Sequence, residues 1–276
     1  MFRIMAQQNS LSERVRRASS WRDHQRLQFE VIHNRDMTLF KSLLAVYREL
    51  VAKESTPLLR WAYANCTSEI FEHNIGPLSP YALREGDFLS EEQALEQHKR
   101  LIKEVPNQVL GYLGLARAYK AGFWDPELKP YEKVLVDKYE TVEINGQKLR
   151  VRRVHLINPE KFRRYRLYRE RILQIEPDNP FVYYWDALTF SYKEKPEFNK
   201  AFDTALKAYQ LGMSQLLPVD CLVLIVYSAW NAGRREEAEK YAKELRRWVA
   251  QAPKSAYVTV LPYRGLRCPL IDDLTR

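Results

Sequence analysis

An all-helical chain built from paired helices, with one β-hairpin set into it, is the fold class this sequence predicts, on three observations. Apolar residues recur at spacings of three and four along most of the chain, the period of one helix face. Glycine is scarce, at 9 of 276 residues, and β-branched runs are few, which favours long helices over a sheet-dominated fold. One stretch breaks the habit. Asn145-Gly146, two residues that tolerate positive φ, lies between segments that alternate as strands do.

Residues 1–36 read as an N-terminal arm or helix, clearest from Ser12 to Arg26. Leu39, Phe40, Leu43, Leu44, Tyr47, Leu50 and Val51 then share one face of a helix that Asp36 is placed to cap. A second helix follows Pro57, with Leu59, Tyr63, Cys66 and Ile70 as its stripe, and Gly76-Pro77-Leu78-Ser79-Pro80 loosens the chain after it. Ser90-x2-Gln93 is a capping box that starts the next helix, which carries Ala94 and Leu101 and ends before Pro106. Tyr112-x2-Leu115-Ala116-x2-Tyr119 opens another, where the small Ala116 permits close approach of a neighbour.

The unit Trp185-x2-Leu188-Thr189-x2-Tyr192, followed by Ala201-x3-Ala205 and Ala208, is the clearest helical pair. A later copy reads Leu222-x2-Ile225-Val226-x2-Ala229, then Gly233, then Ala238-x3-Ala242 and Leu245. Ala201 and Ala238 are 37 residues apart, close to a 34-residue period with a longer loop through Leu216-Leu217-Pro218. The unit opening at Tyr112 departs from this spacing. Its partner helix begins only at Lys161 and runs to Ile175, before Pro177, which leaves residues 120–158 as an insertion between paired helices. A hairpin at about residues 138–154 occupies its centre. The Asn145-Gly146 turn sets Val142 opposite Leu149 and Glu143 opposite Lys148, and the Val142, Ile144, Leu149, Val151 face is expected to pack on helices.

These motifs resemble the tetratricopeptide family, whose pattern W-x2-L-G-x2-Y then A-x3-F is matched from Ser90 to Pro253, with residues 36–74 as a weaker earlier pair. Thr189, Val226 and Tyr165 depart from the small residues usual at those places. The resemblance implies a right-handed α-solenoid over residues 37–253, closed by a tail or cap at 254–276. It also implies a non-catalytic scaffold that receives a protein or peptide segment on its concave side, through the first helix of each pair. The residues so nominated are Leu113, Arg117, Lys120, Asp186, Phe190, Lys193, Val223, Tyr227 and Trp230. They form a groove aromatic at one end and basic at the other, without the Lys-Asn-Asn-Lys-Arg arrangement that clamps C-terminal carboxylates in some relatives.

Charge gives a second reading. Between Lys148 and Arg171 lie ten lysines and arginines against Glu160 and Glu170, so this segment carries most of the chain's net +9. Lys148, Arg150, Arg152, Arg153, Arg163, Arg164 and Arg166, with Phe162, Tyr165 and Tyr168 interleaved, suit RNA or single-stranded nucleic acid by phosphate contact and base stacking. The competing reading buries Phe162, Tyr165 and Ile172 and leaves the arginines as a solvated face or a contact for an acidic protein. Arg16-Arg17-Ala18-Ser19 resembles a basic-directed kinase site, a short pattern that arises often by chance.

Other classes lack their signatures. Cys66, Cys221 and Cys268 form no C-x-x-C pair and suit a reducing, cytoplasmic compartment, with Cys221 acting as a small apolar side chain. The five histidines have no metal-ligating spacing, and there is no Walker loop, G-x-G-x-x-G or G-x-S-x-G elbow, so neither an enzyme nor a cofactor is expected. The strongly apolar run from Cys221 to Trp230 is far below the roughly 20 residues of a membrane span, and the first residues offer no signal-peptide h-region. Oligomeric state is not readable.

Overall fold

A computed structural model describes residues 2–33, 37–72, 88–119, 138–144, 147–153, 159–192, 196–251 and 268–272. Its helices are α1 (Phe2–Arg17), α2 (Trp21–His33), α3 (Met37–Lys53), α4 (Pro57–Glu72), α5 (Glu91–Glu104) and α6 (Leu110–Tyr119). After strands β1 (Lys138–Ile144) and β2 (Gln147–Arg153) come α7 (Pro159–Ile175), α8 (Pro180–Tyr192), α9 (Phe198–Ala208) and the short α10 (Ser214–Leu216). The chain continues through α11 (Pro218–Asn231), α12 (Arg235–Gln251) and α13 (Pro269–Asp272).

The starts and stops follow local chemistry. Ser90 and Gln93 form the reciprocal capping box of α5, Gln93 N donating to Ser90 Oγ at 3.1 Å and Ser90 N to Gln93 Oε1 at 2.9 Å. Pro218 stands at the first turn of α11, where its missing N–H costs nothing. α9 runs into a π-helical turn, Tyr209–Met213, in which Gly212 has φ +116°, a conformation open to glycine alone without strain. The Asp36 cap, the Asn145-Gly146 turn and the Gly76 to Pro80 break lie outside the described residues.

The helices pack mainly on their neighbours in sequence, and α4, expected to pair with α3, lies on α5 as well. α4 lies on α5, α6 on α7, α8 on α9 and α11 on α12, while α5 also meets α6 and α9 meets α11. Contacts of α4 with α6 and of α8 with α11 place the first members of the pairs in one layer. Ala201, Ala205, Ala208, Ala238 and Ala242 are all fully buried, so the small side chains lie at helix contacts. Close approach at α5–α6 comes from glycine as well. A Cβ on Gly114 would stand 2.2 Å from His98 Nδ1, and one on Gly111 2.5 Å from the His98 carbonyl oxygen.

β1 and β2 pair antiparallel, Val142 opposite Leu149 and Glu143 opposite Lys148. The hairpin's side chains are outside the description, and with them the expected packing of its Val142 face. α1 lies against α3 and buries Leu11 and Val15, and α13 closes on α11 and α12 with Cys268 and Ile271 buried. All three cysteines are buried and in no disulfide, and burial pushes the Cys221 thiol well above its ordinary range. Among the described residues no helix is long and apolar enough to cross a membrane.

Candidate functional site: the face beneath the second helix

The feature that most alters the sequence reading is the position of α2. Its start is fixed locally: Asp23 N donates to Ser20 Oγ at 3.2 Å, and the Asp23 carboxylate accepts from Ser20 N at 3.1 Å and Ser19 N at 3.2 Å. The Ser20 hydroxyl, also bonded to that carboxylate, is the chief cause of its pKa falling below the usual range. This aspartate version of a capping box begins the helix at Trp21. Trp21, Gln25 and Gln28 then share one face, and Arg22 and Arg26 the face beside it.

That first face lies on the layer of first helices. Trp21 meets Trp61 of α4 edge-on at 6.4 Å between ring centroids, and Phe181 of α8 at 5.8 Å. Phe181 continues to Trp185 at 5.3 Å, and Trp185 to Tyr165 of α7 at 6.3 Å. Beside the rings runs a polar layer. Asn65 Nδ2 donates to Gln25 Oε1 at 2.9 Å and to Gln28 Oε1 at 2.8 Å, and Gln28 Nε2 donates to the Ala62 carbonyl at 2.8 Å. Asn65 Oδ1 accepts from Arg117 Nη1 of α6 at 3.2 Å. His24 Nδ1 lies 3.0 Å from the Tyr47 hydroxyl of α3. Gln25, Gln28, His24, Asn65 and Arg117 are each at most 4% exposed, a dense polar layer for the interior of a helical stack.

The second face reaches the far side of the fold. Trp21 Nε1 donates to Glu176 Oε2 at 3.1 Å, and Arg22 forms a short ion pair with the other oxygen of that carboxylate. Arg22 Nη1 donates to the Leu211 carbonyl at 3.3 Å, next to the turn that Gly212 permits, and Arg26 Nη2 to Gln215 Oε1 at 2.6 Å. Glu176 also accepts from Asn179 Nδ2 at 3.0 Å, and Asn179 Oδ1 accepts from Phe181 N at 3.2 Å, so the α7–α8 joint is tied to α2. α2 thus bridges α4, α8 and the chain around α10. Between it and the layer below is a cavity of about 10 Å³, lined by Gln25, Trp61, Asn65, Leu113, Arg117, Phe181 and Trp185.

Two buried histidines flank this layer. Burial lowers the pKa of His24 to about 4, the nearby Asp23 opposing that shift, and lowers that of His98 to about 3, with Arg117 adding to the effect. Both imidazoles are neutral at physiological pH.

The residues nominated from the sequence divide unevenly. Leu113 and Arg117 line the cavity under α2. Val223 and Tyr227 are instead core residues, 7% and 4% exposed, because α11 is covered on one side by α9 and on another by α12 and α13. Asp186 ties helices together, accepting from Arg169 Nε at 2.8 Å and from the Tyr165 hydroxyl at 3.2 Å. Phe190 is faced by the Lys200 ammonium at 4.2 Å and Trp230 by the Arg235 guanidinium at 3.5 Å, so both rings are partly occupied by the chain's own cations. Lys120 and Lys193 lie outside the described residues.

The basic segment is also partly engaged. Arg163, Arg164 and Arg166 are exposed on α7, but Arg164 lies over the Tyr119 ring at 5.4 Å. Arg169 holds Asp186, and Arg171 reaches the Pro106 carbonyl at 3.4 Å. The side chains of Lys148, Arg150, Arg152 and Arg153 are not described. Tyr165 and Ile172 are buried, as the solvated-face reading requires. Among the described residues no cluster of histidine, cysteine, aspartate and glutamate is arranged to hold a metal ion.

No family model and no curated protein matches the chain. A solved structure with some likeness is that of a thermophilic TPR protein from Thermus thermophilus, 13% identical over 84% of this chain and 93% of that one, with a TM-score of 0.47. At that similarity none of that protein's properties is carried over.

The sequence reading missed Trp21, Gln25, Gln28, Trp61, Asn65 and Glu176. The Ser20-x2-Asp23 box was a visible start signal, but amides and a lone carboxylate contribute nothing to hydrophobic periodicity.

Proposed function

We propose that this chain is a non-catalytic scaffold that binds a protein segment along the layer of α4, α6 and α8, the concave side of a right-handed solenoid. The observation that supports the reading is α2, a helix that lies on this layer and contacts it through an aromatic cluster and paired amides. A surface that takes a helix in cis has the anchors and the polar partners to take one in trans. The hairpin between α6 and α7 is an insertion between paired helices and marks where this chain differs from a generic stack.

A partner captured by the full chain, with and without nuclease, is cross-linked and the links are located by mass spectrometry. Links concentrated on α2, α4 and α8 that persist after nuclease treatment are the expected result. Links confined to α5, α9 and α12 would overturn the assignment of the face. Capture abolished by nuclease would replace the protein partner with nucleic acid.

A further inference from the structure

We propose that α2 is an internal competitor for this face, and that the trans ligand is a helical segment repeating its pattern: an aromatic residue, arginine at the next position, and amides four and seven positions on. The proposal rests on the scaffold reading above and adds the ligand's chemistry and the way access is controlled. Three observations carry it.

The first is the reach of α2. Its longest-range polar contacts join Arg22 to Glu176 and Arg26 to Gln215, separated in sequence by 154 and 189 residues. They belong to the docked arrangement and contribute nothing to the helix itself. The second is the make-up of the interface, in which five polar side chains from α2, α4 and α6 are buried beside the ring cluster. Asn65 and Arg117 can be hydrated when the face is open, while Trp21, Leu27 and Val31 of α2, buried in the main apolar cluster, keep it covered in the free chain. The third is the fit. Trp61 is 1% exposed, yet among the described residues its indole N–H has no acceptor, and the cavity beside it has room for about one water. A ligand offering an acceptor there would gain a hydrogen bond that α2 does not make.

The residues that would read the ligand are those α2 uses now. Trp61 and Phe181 receive the aromatic residue, Glu176 the arginine and the aromatic N–H, and Asn65 both amides. Because α2 is tethered, a trans helix competes against a high local concentration, and its apparent affinity is reduced by the fraction of molecules in which the face is open. Weakening α2 on its own side must therefore raise affinity for the same helix in trans.

A fluorescent peptide of residues 18–33 is titrated into the full chain and into the full chain carrying Trp21→Ala and Arg22→Ala. Binding to the variant about tenfold or more tighter than to the unaltered chain is expected. A peptide with its own Trp21→Ala should lose most of that binding, as should Glu176→Gln added to the variant chain. Arg22→Ala alone, at a side chain about one-third exposed, keeps the test valid if the double variant does not fold, and should shift affinity in the same direction. Equal binding to both chains, or none to a variant whose circular dichroism is unchanged, overturns the proposal. If the peptide fails while a captured partner still cross-links to α4 and α8, the α2-like ligand is wrong and the scaffold reading stands. If the partner's links lie on the outer helices, both fall.

Discussion

The two halves of the stack are built with different chemistry. From α8 to α12 the helix contacts are mostly apolar: Ala201, Ala205, Ala208, Ala238 and Ala242 are fully buried, and the buried Ser191 and Ser228 hydroxyls lie 3.2 Å apart. From α2 to α6 the interior carries His24, Gln25, Gln28, Asn65, His98 and Arg117. Apolar helix contacts tolerate small shifts, whereas a buried amide network holds only where every partner is in place. The C-terminal half is built for permanence. The N-terminal half specifies one geometry for α2.

The largest test removes the centre of the polar layer. Asn65→Ala deletes the donor to Gln25 and Gln28 and an acceptor for Arg117, and should cost about 3 kcal/mol or more. Urea unfolding would measure it. Ser191→Ala in the other half should cost about 1 kcal/mol, and equal losses would erase the contrast.

Acid gives the next largest effect, with a defined sign. The folded-state pKa values of His24 and His98, about 4 and about 3, lie below the ordinary value of 6.5. As pH falls through 6.5 the unfolded chain takes up protons that the folded chain refuses, so this contribution to stability is intact above pH 6.5 and declines toward pH 4. From pH 7 to 5.5 the two histidines together should remove about 2 kcal/mol. Hydrogen exchange over that range should rise first in α2, α3 and α5, the helices that hold the two rings or face them, ahead of α9, α11 and α12. A uniform rise across both halves, or none, would contradict the assignment.

The smallest effect concerns the start of α2. Ser20→Ala removes the capping hydroxyl and should cost about 1 kcal/mol. Its useful readout is local: amide exchange should quicken in the first turn of α2 and leave α8 and α11 unchanged. Under the competition proposal the same change should also tighten binding of the residue 18–33 peptide.

Much of this was legible beforehand, for reasons that differ by residue. The alanines at 201, 205, 238 and 242 announce helix contacts because only small side chains fit where backbones approach. Ser90 and Gln93 announce a helix start because their bonds close within four residues. Tyr227 and Val223 were misplaced in an open groove because a helical stripe shows which side is apolar without showing how many neighbours cover it. α11 has neighbours enough to bury both. Arg117 was nominated as a groove residue and does lie on the face under α2, but buried and bonded to Asn65.

The sequence by itself determined the capped and striped helices between Met37 and Gln251 and the separation of α6 from its partner α7, because each follows from spacing, caps and breakers within a few residues. Only the tertiary structure decided that the helix from Trp21 to His33 crosses the layer of first helices to meet Glu176 and Gln215. The contacts that hold it there are hydrogen bonds and ring packing between residues from 23 to 189 positions apart, and such pairings leave no period along the chain.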